Sequence, residues 1–375
     1  MAGLRALTNT WNSVTEFDVR PYREQAERGV RLALVGKSGS GRHLLADRMR
    51  RDPYRPEVEQ PTPLLSVDLE EASRLPETDL VILLLNALDS DDAQERRLVR
   101  SWLDAGRRVL VVIHRPVDLP EGDSGGLAVE PWLNWGGRHV LVGSVENNDF
   151  LLKEFIPTVL YHLPEHTLPL GRYYPLFRTA VARHLINDAC FSNSAYSLST
   201  GVIQLVPVLN IPLNVTDIFV LTKNQVFLVY KLGLALGMST ELQSYVAAFG
   251  GVLGGGFFWR QAARMLIGLI PGWGIIPKGA ISYAGTYVVG TTVLQWYLTG
   301  GHIPRGQVRQ LYAQAYSKGN QLTQNLFSRR PRLGFGRRKR AAPALIPPAS
   351  QFCPNCSKPN AADASYCQYC GKQLV

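Results

Sequence analysis

Residues 31–43 read Arg-Leu-Ala-Leu-Val-Gly-Lys-Ser-Gly-Ser-Gly-Arg-His, and the fold turns on this stretch. Its first half, Arg31–Gly36, is a short aliphatic run of the kind that fills a strand buried on both faces. The residues from His43 to Met49 read as a helix. Between them lie Gly36, Gly39 and Gly41. Strand, glycine loop and helix form the context a phosphate-binding loop requires, because loop N–H groups and a helix N-terminus together face an anion. The G-x-x-x-x-G spacing is met by Gly36 and Gly41.

The next two positions depart from that motif. A Lys that reaches the β- and γ-phosphates is replaced by Arg42, a bulkier cation. A Ser or Thr that places its hydroxyl on Mg²⁺ is replaced by His43. Mg²⁺ takes oxygen ligands, and His43 has none to give.

Working outward, four more aliphatic runs follow: Pro63–Leu69, Asp79–Ala87, Val109–Ile113 and Arg138–Gly143. Helix-like stretches separate them, among them Asp91–Ala105 and Asn148–His162, the latter strained by Pro157. Alternating strands and helices predict a parallel sheet covered on both faces.

The order of these motifs resembles an Era-like GTPase domain of the sort joined to a YcjF-like, membrane-associated helical domain. The resemblance implies a D-x-x-G at the end of the second run, where Asp68 is present but Glu71 replaces the glycine. It implies N-K-x-D after Val109–Ile113, where the chain has His114-Arg-Pro-Val-Asp118. Ser144-Val-Glu146 is a partial match to the S-A-K loop. The implied nucleotide residues are thus Gly36, Gly39, Gly41, Arg42 and Asp68, with GTP as the implied ligand. No catalytic residue is assigned, and the expectation is a GTPase-like fold with weak or lost hydrolysis. Retained GTP turnover through the variant loop is the alternative.

The texture changes further along. Only seven of the 116 residues in 189–304 are charged, against 19% in the whole chain. Gly279–Pro304 carries no formal charge and is long enough to span a bilayer, which takes about 20 residues. Leu242–Trp259 and Met265–Pro277 are uncharged but glycine- or proline-broken, and suit a re-entrant or interfacial hairpin. Ala280 and Ala284 would let helices approach closely. Asp217 is placed to cap a helix over Ile218–Leu236, with Leu221, Leu228, Leu232 and Leu236 on one face. The resemblance to the YcjF-like domain covers about 130 residues. It rests on Pro175-Leu-Phe-Arg178, Leu185-Ile186, Asn193, the segment Pro207–Asp217, Lys223-Asn-Gln225, Leu269–Gly274 and Tyr283-Ala-Gly-Thr286. It implies a helical domain tied to GTPase domains and membranes, with no stated activity.

The net charge is +10, and it is uneven. From Leu242 to Ala362 there are fourteen Lys and Arg and no Asp or Glu, so the rest of the chain sums to −4. Arg329, Arg330, Arg332 and the run Arg337–Arg340 form a basic cluster, followed by the Pro/Ala stretch Ala341–Ser350. Such a cluster suits an anionic leaflet, at about 1 kcal/mol per basic residue, or nucleic acid.

Four of five cysteines form two C-x-x-C pairs, Cys353/Cys356 and Cys367/Cys370, while Cys190 stands alone. Two such turns can close a tetrahedral structural Zn²⁺ site with no open position for catalysis. A 25-residue unit of this kind takes most of its stability from the metal. It resembles the short zinc ribbons at the ends of many bacterial and archaeal proteins. This cysteine usage suits a reducing compartment. The first residues show neither a signal-peptide core nor a Met-Gly start.

The sequence therefore predicts a multidomain α/β plus α protein. Residues 1–168 form a degenerate GTPase-like domain, 169–325 a helical YcjF-like domain, 326–350 a basic linker and 351–375 a zinc ribbon. The expected function is that of an adaptor at the cytoplasmic face of a membrane, with anionic lipid and a protein as partners. Binding of nucleic acid through the basic tail and ribbon is a further alternative.

Overall fold

The computed structural model describes residues 18–118, 126–127, 129–134, 139–201, 215–245, 278–300, 305–328, 351–352 and 359–360. Elements of the first part are α1 (Arg20–Glu27), β1 (Leu32–Gly36), α2 (Arg42–Met49), β2 (Arg51–Asp52), β3 (Arg55–Glu59), β4 (Leu64–Asp68), β5 (Leu80–Asn86), α3 (Ala93–Asp104), β6 (Val109–His114), α4 (Glu130–Leu133) and β7 (Val140–Gly143). A 3₁₀ helix, Leu69–Arg74, follows β4.

Five strands form one sheet in the order β4-β1-β5-β6-β7, and every pairing is parallel. Each aliphatic run in the sequence becomes one of these strands, with ends shifted by no more than two residues. β1, β5 and β6 are buried almost throughout because helices cover both faces. Leu32, Leu34, Leu80, Ile82, Leu84, Leu110 and Val112 point to one face, toward Leu45 and Met49 of α2. The alternate residues, Ala33, Val35, Val81, Leu83, Leu85, Val111 and Ile113, point to the other, toward Val99 and Trp102 of α3 and Trp132 of α4. β2 and β3 stand apart as a small antiparallel hairpin.

After β7 the chain enters α5 (148–162), which runs as Asn148–Phe150, a π-helical turn Leu151–Phe155, and Ile156–His162. Pro157 lacks an N–H and crowds the carbonyl four residues back, and the wide turn just before it relieves both problems. Then come α6 (Thr167–Tyr173), α7 (Arg178–Gly201), α8 (Val215–Ala235), α9 (Lys278–Thr299) and α10 (Arg305–Ser328).

These helices pack on one another and on the sheet. The core on the α2 face continues without a break through Phe155, Leu170, Tyr174, Phe177 and Val181 to Tyr230, Leu234 and Tyr245. The Tyr174 hydroxyl donates to the carbonyls of Val30 (3.2 Å) and Pro63 (3.0 Å). The predicted boundary at residue 168 is therefore not a gap in packing. Residues Met1–Phe327 form one compact unit and Ser328–Val375 a second.

α8 begins at Val215, so Asp217 stands in its first turn and not at the cap. Of its predicted apolar face, Leu228, Leu232 and Leu236 are buried with Ile186, Cys190, Tyr283 and Val293 in a third core, and the side chain of Leu221 lies outside the described ones. Ala280 and Ala284 are fully buried, and a Cβ at Gly319 of α10 would lie 3.2 Å from the Cα of Ala280. Close approach through small residues thus joins α9 to α10. The stretch considered as a bilayer span folds as α9, which packs against α7 and α8. Among the described residues no helix is long and apolar enough to cross a membrane. The segment 246–277, the basic cluster and the Pro/Ala linker lie outside the described residues.

In the second unit, β8 (Gln351–Phe352) pairs antiparallel with β9 (Pro359–Asn360). Cys353, Cys356, Cys367 and Cys370 lie outside the described residues.

Candidate functional site

Numbered only among themselves, the sheet strands run 2-1-3-4-5. The chain leaves β1 toward one edge and later returns to its other side, so the order reverses between β1 and β5. In open parallel sheets, ligands bind in the crevice beyond the carboxyl ends of the strands at such a reversal. The loop Gly36–Gly41 emerges from β1 at that point.

Its backbone needs glycine for three different reasons. A Cβ at Gly36 would lie 2.7 Å from the carbonyl oxygen of Leu84 and 2.4 Å from Ser40 Oγ. Gly39 has φ +80° with open space around it. Gly41, at φ +86°, caps α2 and faces the ring of His114, whose Cδ2 would be 2.7 Å from a Cβ there. Ser40 N donates to Lys37 O (3.2 Å) to close the turn. Asn86, the last residue of β5, holds the loop from the sheet by donating from Nδ2 to Gly39 O (3.0 Å).

The two loop cations are both engaged by carboxylates of the same chain. Arg42, the first residue of α2, is 7% exposed, and its Nη2 lies 3.0 Å from Asp68 Oδ2. Asp68 is the register partner of Gly36, so the parallel pairing of β1 with β4 delivers the carboxylate to the loop. Lys37 Nζ lies 2.7 Å from Glu95 Oε1 and donates to Asp91 O (3.0 Å). Burial disfavours its charge, but the hydrogen bond it donates to Glu95 and the charges of Glu95, Asp89 and Asp91 outweigh that and raise its pKa.

His114 closes the far side. It is the register partner of Asn86, is 5% exposed, and its Nδ1 accepts from Val145 N (3.3 Å). Burial pushes its pKa down, with Glu146 opposing. The imidazole is therefore a neutral acceptor at neutral pH. His43, by contrast, is exposed, and Glu71 is exposed within the 3₁₀ helix.

The five nucleotide residues expected from the sequence, Gly36, Gly39, Gly41, Arg42 and Asp68, come together at one point. Lys37, Asn86, Glu95 and His114 join them without having been foreseen. One signal for Glu95 was in the sequence: Glu95, Val99 and Trp102 share a buried helical face at i, i+4, i+7. A carboxylate on that face requires a partner. The first turn of α2 has no side-chain cap, and Arg42 Nε and Ser40 Oγ are buried without a hydrogen-bond partner. The loop can thus still offer donors to an anion, but its cations are already neutralised.

The sheet, with helices on both faces and a glycine loop at the strand-order reversal, defines an α/β protein of the doubly wound class. Compared with protein-family models, with curated proteins and with solved structures, the chain gives no match. Among the described residues no cluster of three or more His, Cys, Asp or Glu side chains could hold a metal ion.

Proposed function

We propose that this chain is a GTPase-like adaptor associated with a membrane, in which a former nucleotide loop serves as a fixed scaffold. The observation that carries the reading is the pair of internal ion pairs Arg42–Asp68 and Lys37–Glu95. A phosphate entering the loop would have to displace a carboxylate from each cation, and would meet the charge of Asp68 beside Gly36. Phosphoryl transfer depends on positioned Mg²⁺ and on charge stabilisation, and His43 supplies no hydroxyl for the ion.

Membrane contact is assigned to the basic cluster at 329–340 and to the apolar segment 246–277. Support comes from the absence of acidic residues between Leu242 and Ala362. α9 is not assigned to it, because its small faces are used in packing against α7 and α10. The two C-x-x-C pairs are assigned a structural Zn²⁺ and a protein-contact role, since a four-thiolate site leaves no open position for catalysis.

Calorimetry of the full chain with GTP and Mg²⁺ tests the scaffold reading. The expected result is no binding in the micromolar range. Tight Mg²⁺-dependent binding with turnover would overturn it. Fractionation with a carbonate wash tests the attachment: release from membranes is expected, and recovery in the soluble fraction before the wash would remove the membrane assignment.

A further inference from the structure

A cavity of about 500 Å³ lies between the β2–β3 hairpin and helices α7, α9 and α10, away from the glycine loop. Its size falls in the range of small-molecule sites, about 300–1,000 Å³. Ile186 of α7 and Leu294 and Leu298 of α9 give its wall an apolar stretch, beside polar Asn187, Thr291, Gln295 and Thr299. Two cations, Arg183 of α7 and Lys318 of α10, also line it, and among the described residues no Asp or Glu does. Neither cation is in an ion pair among the described residues.

Arg183 is held in place without being neutralised. Its guanidinium carbon sits 5.3 Å from the centre of the Tyr54 ring, and Nη1 donates to the Tyr54 hydroxyl (3.3 Å). Tyr54 is carried by the hairpin turn, and the neighbouring Arg55 donates to Leu298 O (3.2 Å), which fastens the hairpin to the end of α9. A cation fixed on a neutral ring keeps its charge available for a ligand.

Thr179 supplies a second, independent observation. It lines the cavity, is 5% exposed, and its Oγ1 is buried with no hydrogen-bond partner. A buried hydroxyl left unpaired is destabilising, so an oxygen-bearing ligand that reached it would satisfy it.

We propose that this cavity binds an anionic amphiphile: a phosphate or carboxylate head between Arg183 and Lys318, with its hydrocarbon chain along Ile186, Leu294 and Leu298. The inference stands independently of the glycine loop. The same head and chain occur on a soluble acyl or alkyl anion and on an anionic lipid.

The test is calorimetric titration of the full chain with decyl phosphate, decanol and inorganic phosphate. The expected result is saturable binding of one decyl phosphate per chain, tighter than either fragment by roughly a hundredfold, since several buried CH₂ groups each add about 0.8 kcal/mol. Arg183→Ala and Lys318→Ala, both at exposed positions, should each weaken it by roughly tenfold with unchanged thermal melting. Leu294→Trp should block it, with retained folding checked by circular dichroism. Equal affinity for decanol would sink the anionic head, and equal affinity for inorganic phosphate would sink the apolar wall. Unaltered binding in both Arg183→Ala and Lys318→Ala would place the ligand elsewhere. Co-sedimentation with phosphatidic-acid vesicles separates the sources. Loss in the same two variants assigns the ligand to a lipid, and no effect of the variants on co-sedimentation assigns it to a soluble anion.

Discussion

The imidazole of His114 lies against Gly41, with Cδ2 only 2.7 Å from where a Cβ would stand. The end of β6 thus packs on the N-cap of α2, and two segments 73 positions apart in sequence are locked by contact and not by a bond. Gly41→Ala should therefore cost more than its left-handed backbone alone. A left-handed non-glycine residue costs roughly 1–2 kcal/mol, and overpacking adds roughly 1–3 kcal/mol. Gly39→Ala, with the same backbone strain and open space, should cost only the first part. Chemical denaturation of both variants measures the difference, and equal losses would show that the ring moves aside freely.

His114 also makes stability depend on pH. Its folded pKa lies below the ordinary value of 6.5, chiefly through burial. Between those two values the unfolded chain binds the extra proton, so stability rises with pH there. The wild type should be at full strength above pH 6.5 and weaken as pH falls below it. His114→Gln should flatten that slope. Denaturation midpoints across the mildly acidic range provide the check, and parallel slopes in the two proteins would exonerate His114.

Lys37 and Glu95 make an unequal pair. Glu95 is 2% exposed at its side chain and Lys37 38%. Lys37→Ala strands a buried carboxylate, while Glu95→Ala leaves a cation that can turn to water. Breaking a fully buried pair costs roughly 3–5 kcal/mol, and screening at Lys37 reduces this to roughly 1–2 kcal/mol. Glu95→Ala should cost less than Lys37→Ala. Because the Lys37 pKa is raised, the stabilisation is complete below the ordinary Lys value of 10.5 and is lost only as pH climbs through the raised value. A reversed order of the two variants in urea melts would contradict this reading.

Asn193 ties three helices together. It is fully buried on α7, donates to Thr286 Oγ1 of α9 (2.9 Å), and accepts from Asn224 Nδ2 of α8 (2.6 Å). Asn193→Ala leaves partners without bonds in a low-dielectric core and should destabilise by roughly 1–3 kcal/mol. Asn193→Asp should be worse, since it places a charge in a buried position. Thermal melts of the two variants rank them, and a neutral Asn193→Ala would mean water replaces the amide without loss.

The cysteine pairs predict about one Zn²⁺ per chain, the capacity of one four-thiolate site. Cys367→Ser should reduce metal content severalfold, and Cys190→Ser should leave it unchanged, since Cys190 is buried in the helical core. Metal analysis of the purified chain decides the matter; four freely titrating thiols in Ser328–Val375 without zinc would end the ribbon assignment.

The sequence was most legible where local pattern decides structure. Each aliphatic run became a strand because both of its faces are covered, and Pro157 marked the place where α5 widens. Gly36, Gly41, Arg42 and Asp68 were readable because spacing along the chain carries the motif. Their partners were not, since Glu95 and His114 reach the loop only through the lateral order of β1, β5 and β6. The boundary at 168 rests on a change of texture along the chain, and packing across it is not legible in texture. Charge depletion reports what surrounds a segment, and it does not tell whether that surrounding is lipid or the face of a neighbouring sheet. Here Tyr230, Leu234 and Tyr245, inside the charge-poor span, are buried in the core shared with the sheet.

The Tyr174 hydroxyl, anchored on the carbonyls of Val30 and Pro63, has a bearing on inheritance. A gene cut at residue 168 would divide one folding unit into two incomplete ones. Neither piece could be exchanged with a related chain unless its counterpart travelled with it. The first compact unit ends near Phe327, and a cut placed there leaves the Tyr174 anchor whole.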